Sequence, residues 1–165
     1  MKLQERTIEN YNDGNKIRLS SQKERKKEME GDQELDDLKE RLSRLAEQVA
    51  LNFGKKLDYS INSVHEVEKL LGQLHKHYKK TCDDEGLNGL ALEFAAYIIK
   101  TIEKNLSKGQ WKRDHPVFGK DTFAYTWDGK DIFPYSWCQK RIFDGPSDNV
   151  WTKFQAIVMK KTKHI

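Results

Sequence analysis

The sequence predicts an α+β fold: three N-terminal and central helices packed on one face of a small antiparallel sheet, followed by a C-terminal helix. Three observations carry that prediction. Apolar residues recur at spacings of three and four in three successive segments up to Leu106. After Gly109 the period drops to two. An Asp128-Gly129 pair then separates two aromatic runs, which is a hairpin signal.

Residues 1–34 carry 8 Lys and Arg against 8 Asp and Glu, with few large apolar side chains. Such a segment buries too little surface to offset its ordering entropy. The expectation is a mobile or loosely helical arm, with 35–165 forming a single domain. From Leu35 the pattern changes. Leu35, Leu38, Leu42, Leu45 and Val49 form a narrow helical seam that suits one packing neighbour, and Gly54 stops it. Val64, Val67, Leu71, Leu74 and Tyr78 repeat the spacing. Ser60 is placed to cap that second helix, and Tyr59 with Val64 to staple it. The third helix has a wide stripe through Leu87, Leu90, Phe94, Tyr97, Ile98 and Ile102. Its small residues Ala91, Ala95 and Ala96 allow close approach, so it should be the most buried.

Beyond Gly109, "GQWKRD", "DTFAYTW" and "DIFPYSWCQKRI" read as strands, with "HPVFG" connecting the first two. Pro134 places the last strand on an edge or at a bulge. Two hairpin registers are open. A two-residue loop pairs Trp127 with Lys130 and Tyr125 with Ile132. A three-residue loop pairs Thr126 with Lys130 and Phe123 with Phe133, which gathers the rings on one face and is preferred on that ground. After Asp144-Gly145-Pro146, Ser147 or Asp148 can cap a final helix through Val150, Phe154, Ile157 and Val158. Period two over the same residues leaves a strand as the alternative.

The chain of 165 residues is 36% hydrophobic and 34% charged, with a net charge of +4. Residues 107–165 hold the excess, 11 basic against 6 acidic. No apolar run approaches the roughly 20 residues of a membrane span. Met1 to Glu34 lacks the apolar stretch of a signal peptide, so a soluble, cytoplasmic protein is expected. Cys82 and Cys138 stand far apart and show neither metal nor redox spacing.

No phosphate loop, nucleophile elbow, zinc motif or calcium loop occurs. His75 and His77 are two apart on a helix, point in different directions, and are not a metal pair. No metal and no cofactor is expected. The candidate partner-binding residues are the basic pairs Lys112-Arg113 and Lys140-Arg141, with Trp137 and Trp151. Basic residues beside sheet aromatics also suit single-stranded nucleic acid, by charge and stacking together. The same rings serve more simply as the one apolar face that the helices need.

Four stretches resemble a family of small uncharacterised bacterial proteins: "LDYS" (57–60), "AYIIKTIEKNL…GQW" (96–111), "RDHPVFG" (113–119) and "IFPYSWCQKRIFDGPSDNVWTKF" (132–154). The resemblance covers about residues 35–160 and implies N-terminal helices with a C-terminal sheet. It brings no cofactor or catalytic residue. Ile99-Lys100 departs from the family pattern, which has a Gly-Glu pair there. The expected function is a non-enzymatic protein-binding module, such as an immunity or accessory protein, with no membrane role. Nucleic-acid binding is the first alternative. An enzyme is the second, with Glu93, Glu103 and His115 as the residues to inspect.

Overall fold

The computed structural model describes the backbone of residues 2–160 and the side chains of residues 21–160. The chain divides into two compact units, Met1–Glu34 and Leu35–Ile165. The first is helical backbone, the opening part of α1 (Lys2–Asn52). Within the second unit, α1 is followed by α2 (Ser63–Thr81), α3 (Leu87–Asn105), β1 (Gln110–Lys112), β2 (Ala124–Trp127) and β3 (Lys130–Ile132). Then come α4 (Pro134–Phe143), a 3-10 turn (Pro146–Asp148) and α5 (Val150–Phe154), which runs into a π turn (Gln155–Met159). The architecture is α+β.

The leucine seam of α1 is not the face that it buries. Lys39, Ser43, Ala46 and Ala50 point inward, while Leu38, Leu42 and Val49 are half-buried at the edge of the core, and Leu45 and Phe53 are exposed. Small residues let α1 approach closely. Lys39 reaches Glu103 of α3 at 2.9 Å. α3 is the most buried helix, with every residue from Phe94 to Ile99 fully covered.

α2 begins at Ser63, not directly after Ser60. Ser60 closes the turn before it, where its Oγ accepts the Ser63 N–H at 3.2 Å. Tyr59 is not a staple. Its ring stacks on Tyr97 with centroids 4.5 Å apart, and its hydroxyl donates to Glu47 at 2.9 Å. Tyr97 Oη accepts the Tyr59 N–H and donates to Ser63 Oγ, both at 2.7 Å. Tyr97→Phe therefore leaves a buried N–H without an acceptor. It is expected to lower unfolding free energy by about 1–3 kcal/mol, measured by urea denaturation. A loss below about 0.5 kcal/mol would show that this hydroxyl holds nothing together.

The sheet has the order β1-β2-β3, all antiparallel. Trp127 pairs with Lys130 and Tyr125 with Ile132, so the two-residue loop is correct and the preferred three-residue register is overturned. Asp128 and Gly129 both take positive φ, 51° and 72°. That is the requirement of the tight turn whose twist matches the strands. Trp111, Tyr125, Trp127 and Ile132 share the covered face, and Lys112, Thr126 and Asp131 the open one.

The largest correction is at 133–143. The expected long edge strand stops at Ile132, and Pro134 starts α4 as its first residue. Proline suits that position, having the fixed φ a helix needs and no N–H to leave unpaired. The buried residues Pro134, Trp137, Cys138, Arg141 and Ile142 fall at helical spacing. α4 packs on α2 and α3 and completes the core. The C-terminal segment is helical, but its cap is Asn149, not Ser147 or Asp148. Asn149 Oδ1 accepts the Thr152 N–H at 2.8 Å.

Candidate binding cleft

The connection between β1 and β2 is built around His115. Its backbone N–H donates to Thr122 Oγ1 at 2.9 Å, and its carbonyl accepts the Gly119 N–H at 2.9 Å. Its Nδ1 accepts the N–H groups of Val117 (3.0 Å) and Phe118 (3.3 Å). The proton therefore sits on Nε2, which donates to Asp131 of β3 at 2.9 Å. Hydrogen bonds from Thr126 and then His115 hold the Asp131 carboxyl below its usual range.

This scaffold puts apolar side chains into solvent. Val117 is 79% exposed and Phe118 64%. Phe118 stands edge-on to Phe133, with centroids 5.3 Å apart, and leans on the His115 ring at 4.8 Å. Asp121 and Phe123 take positive φ, 57° and 48°, unusual for residues with a side chain. Arg113 holds Asp121 at 3.1 Å, and Phe123 is packed edge-on against Tyr135 of α4 at 5.4 Å.

Between this loop, α4 and the C-terminal helix lies an open cleft of about 580 Å³, walled by Phe118, Phe133, Tyr135, Trp137 and Ile157. A second hollow of about 350 Å³ adjoins it and shares Phe133, Trp137 and Ile157. Ile157 belongs to the π turn, a helical irregularity that recurs at functional sites. Lys140 and Lys153 stand on the first hollow and Lys130 on the second.

Of the residues singled out from sequence, the structure brings only Trp137 and Lys140 into this cleft. Trp137 is a buried wall. Arg113 reaches it through Asp121, while Lys112 is exposed on the open sheet face. Arg141 is buried, bonded to Glu68 through Nε at 2.5 Å, and serves the core rather than a partner. Trp151 is half-buried on α5, stacked on His65 at 5.4 Å. Sequence reasoning missed Phe118, Phe133, Tyr135 and Ile157 as cleft residues. The available signal was "PVF", two large apolar residues inside a loop.

Chemically the cleft is suited to holding rather than reacting. His115 has its lone pair occupied by two backbone N–H groups, so it is not a free base. Thr122 Oγ1 donates to the Gly119 carbonyl at 3.0 Å and is tied into the same loop. Glu103 is engaged by Lys39 and by Tyr125 Oη at 3.0 Å. Burial raises the Glu93 carboxyl above its ordinary value, and its Oε2 has no hydrogen-bond partner among the described residues. His75 donates to the Ile142 carbonyl at 2.7 Å. Among the described residues no group of three or more His, Cys, Asp or Glu could hold a metal, and no helix is long and apolar enough to cross a membrane.

No protein-family model matches the chain, and neither a curated protein nor a solved structure matches it.

Proposed function

We propose that this protein is a binding module that receives apolar side chains of a protein partner in the cleft between the His115 loop, α4 and the C-terminal helix. The observation that carries the reading is the pair of adjoining apolar hollows, whose solvent edge is formed by Phe118 and Ile157, 64% and 37% exposed. A loop ordered by six hydrogen bonds to or near one histidine, displaying two apolar side chains to water, is stability spent on presentation. Half-open apolar pockets with few polar groups are the usual form of recognition sites. A setting among small bacterial proteins belongs to the same proposal and is supported by the four sequence stretches above; a cytoplasmic location is proposed with it.

Stacking on nucleic acid is disfavoured. Trp127 and Trp137 are 5% and 7% exposed and offer no open ring face.

The test is selection of peptides from a displayed random library on the full-length protein. Selected peptides are expected to bind the Phe118→Asp/Ile157→Asp variant at least about tenfold more weakly, since one buried apolar anchor is worth about 1.5–3 kcal/mol. Equal binding to both proteins would place recognition elsewhere and end the reading.

A further inference from the structure

We infer that the occupant of the cleft is an acidic peptide segment: two large apolar side chains, one for each hollow, flanked on both sides by Asp or Glu. The inference rests on the binding reading above and adds the chemistry of the partner. The charges around the cleft are asymmetric in availability as well as in number. Its two acids are already engaged, Asp121 by Arg113 at 3.1 Å and Asp131 by His115 at 2.9 Å and Thr126 at 2.6 Å. Lys153 is engaged by Asp148 at 2.8 Å. Lys130 and Lys140 remain: both are exposed and neither makes a close ion pair among the described residues, Lys140 acting only at longer range on Asp148, which Lys153 already holds.

Their placement gives the pattern. Lys130 lines the smaller hollow and Lys140 the larger, while the shared wall of Phe133, Trp137 and Ile157 lies between the two hollows. Charge–apolar–charge along the groove asks for acid–apolar–acid along the ligand. Complementary rim charges of this kind set partner choice and association rate more than raw affinity. A phosphodiester strand fits less well, because the wall carries two fixed carboxylates, Asp121 and Asp131, and its tryptophan, Trp137, is covered.

The library peptides test this directly. Peptides that need Phe118 and Ile157 are expected to carry paired apolar anchors with flanking Asp or Glu. A synthetic peptide of that kind should weaken about tenfold or more on Lys130→Glu/Lys140→Glu, and by less on Lys130→Ala/Lys140→Ala. It should also weaken between about 50 and about 500 mM salt. Replacing its acids with lysine should restore binding to the Glu variant, a rescue that a misfolded variant could not give. Lys76→Glu/Lys80→Glu on α2 should change nothing. Cleft-dependent peptides that are neutral and insensitive to salt would overturn this inference and leave the binding reading standing. Peptides indifferent to Phe118 and Ile157 would overturn the reading itself. Competition by a 20-nucleotide oligothymidylate (about that length) that requires Lys130 and Lys140 would overturn the peptide assignment in favour of nucleic acid.

Discussion

Glu68→Ala is expected to cost about 3–5 kcal/mol of unfolding free energy, the range for removing one partner of a buried ion pair. Glu68 is 5% exposed and Arg141 8%, so solvent screens neither. One carboxylate oxygen takes Arg141 Nε at 2.5 Å, and the other takes the Val150 N–H at 2.7 Å. A single side chain on α2 thus holds the end of α4 and the start of α5. Its loss strands a guanidinium whose Nη1 is already buried without a hydrogen-bond partner among the described residues. Gly72 belongs to the same device. A Cβ there would stand 2.7 Å from Arg141 Nη2, so α2 accepts a mid-helix glycine, at about 1 kcal/mol, to let the arginine lie across it.

A double variant separates attraction from isolation. Glu68→Met with Arg141→Met removes both charges and should recover most of the loss, because a hydrophobic replacement of a buried pair is often neutral. About 1 kcal/mol should remain for the unsatisfied Val150 N–H. Urea denaturation followed by tryptophan fluorescence reads all three proteins. A loss below about 1 kcal/mol for Glu68→Ala would mean that Arg141 swings to water and the pair is incidental.

Arg141 also shows why part of this fold was legible in the sequence and part was not. α2 and α3 are readable because their buried residues are apolar at a clean helical period. The hairpin turn is readable because Asp128-Gly129 is one of the few pairs that tolerate two positive φ angles. α4 is different. Its buried set includes a proline and an arginine, neither of which a hydropathy reading counts, while Phe133, Tyr135 and Trp137 happen to alternate. The preferred hairpin register then failed for the same reason, since it depended on Phe133 lying in a strand. α1 misled in the opposite sense: its leucines are conspicuous, but its contact face is Lys39, Ser43 and two alanines. The partners that explain Arg141 and Lys39 lie 73 and 64 residues away, beyond any local pattern. The cleft was half legible. Trp137 and Lys140 were singled out by type, whereas Phe118 lay in a stretch that reads as mere connection.

Lys39→Met is the second large effect, expected at about 2–4 kcal/mol. Lys39 is 3% exposed and meets Glu103 at 2.9 Å and Asp36 at 3.0 Å. Glu103 keeps Tyr125 as a donor and is only partly covered, which holds the loss below that of a sealed pair. The pair also carries a pH signature. Burial by itself would lower the Lys39 pKa, but its hydrogen bonds to Glu103 and Asp36 outweigh that and raise it above 10.5. A raised folded pKa gives stability that is complete below the unfolded value and is lost as pH climbs through the folded one. Asp36 runs the other way. Burial would raise it, yet Lys39 and Lys108 hold it below 3.8, so its share is present above the unfolded value and is lost as pH falls through the folded one. Wild type should therefore lose stability relative to Lys39→Met at both ends, above about pH 10.4 and below about pH 3.9, with the gap between them constant across neutrality. Parallel urea titrations from acid to alkaline pH would show it. A gap that stays constant through the alkaline limb would mean that the Lys39 pKa is the same folded and unfolded, so that its carboxylates do not stabilise the ammonium.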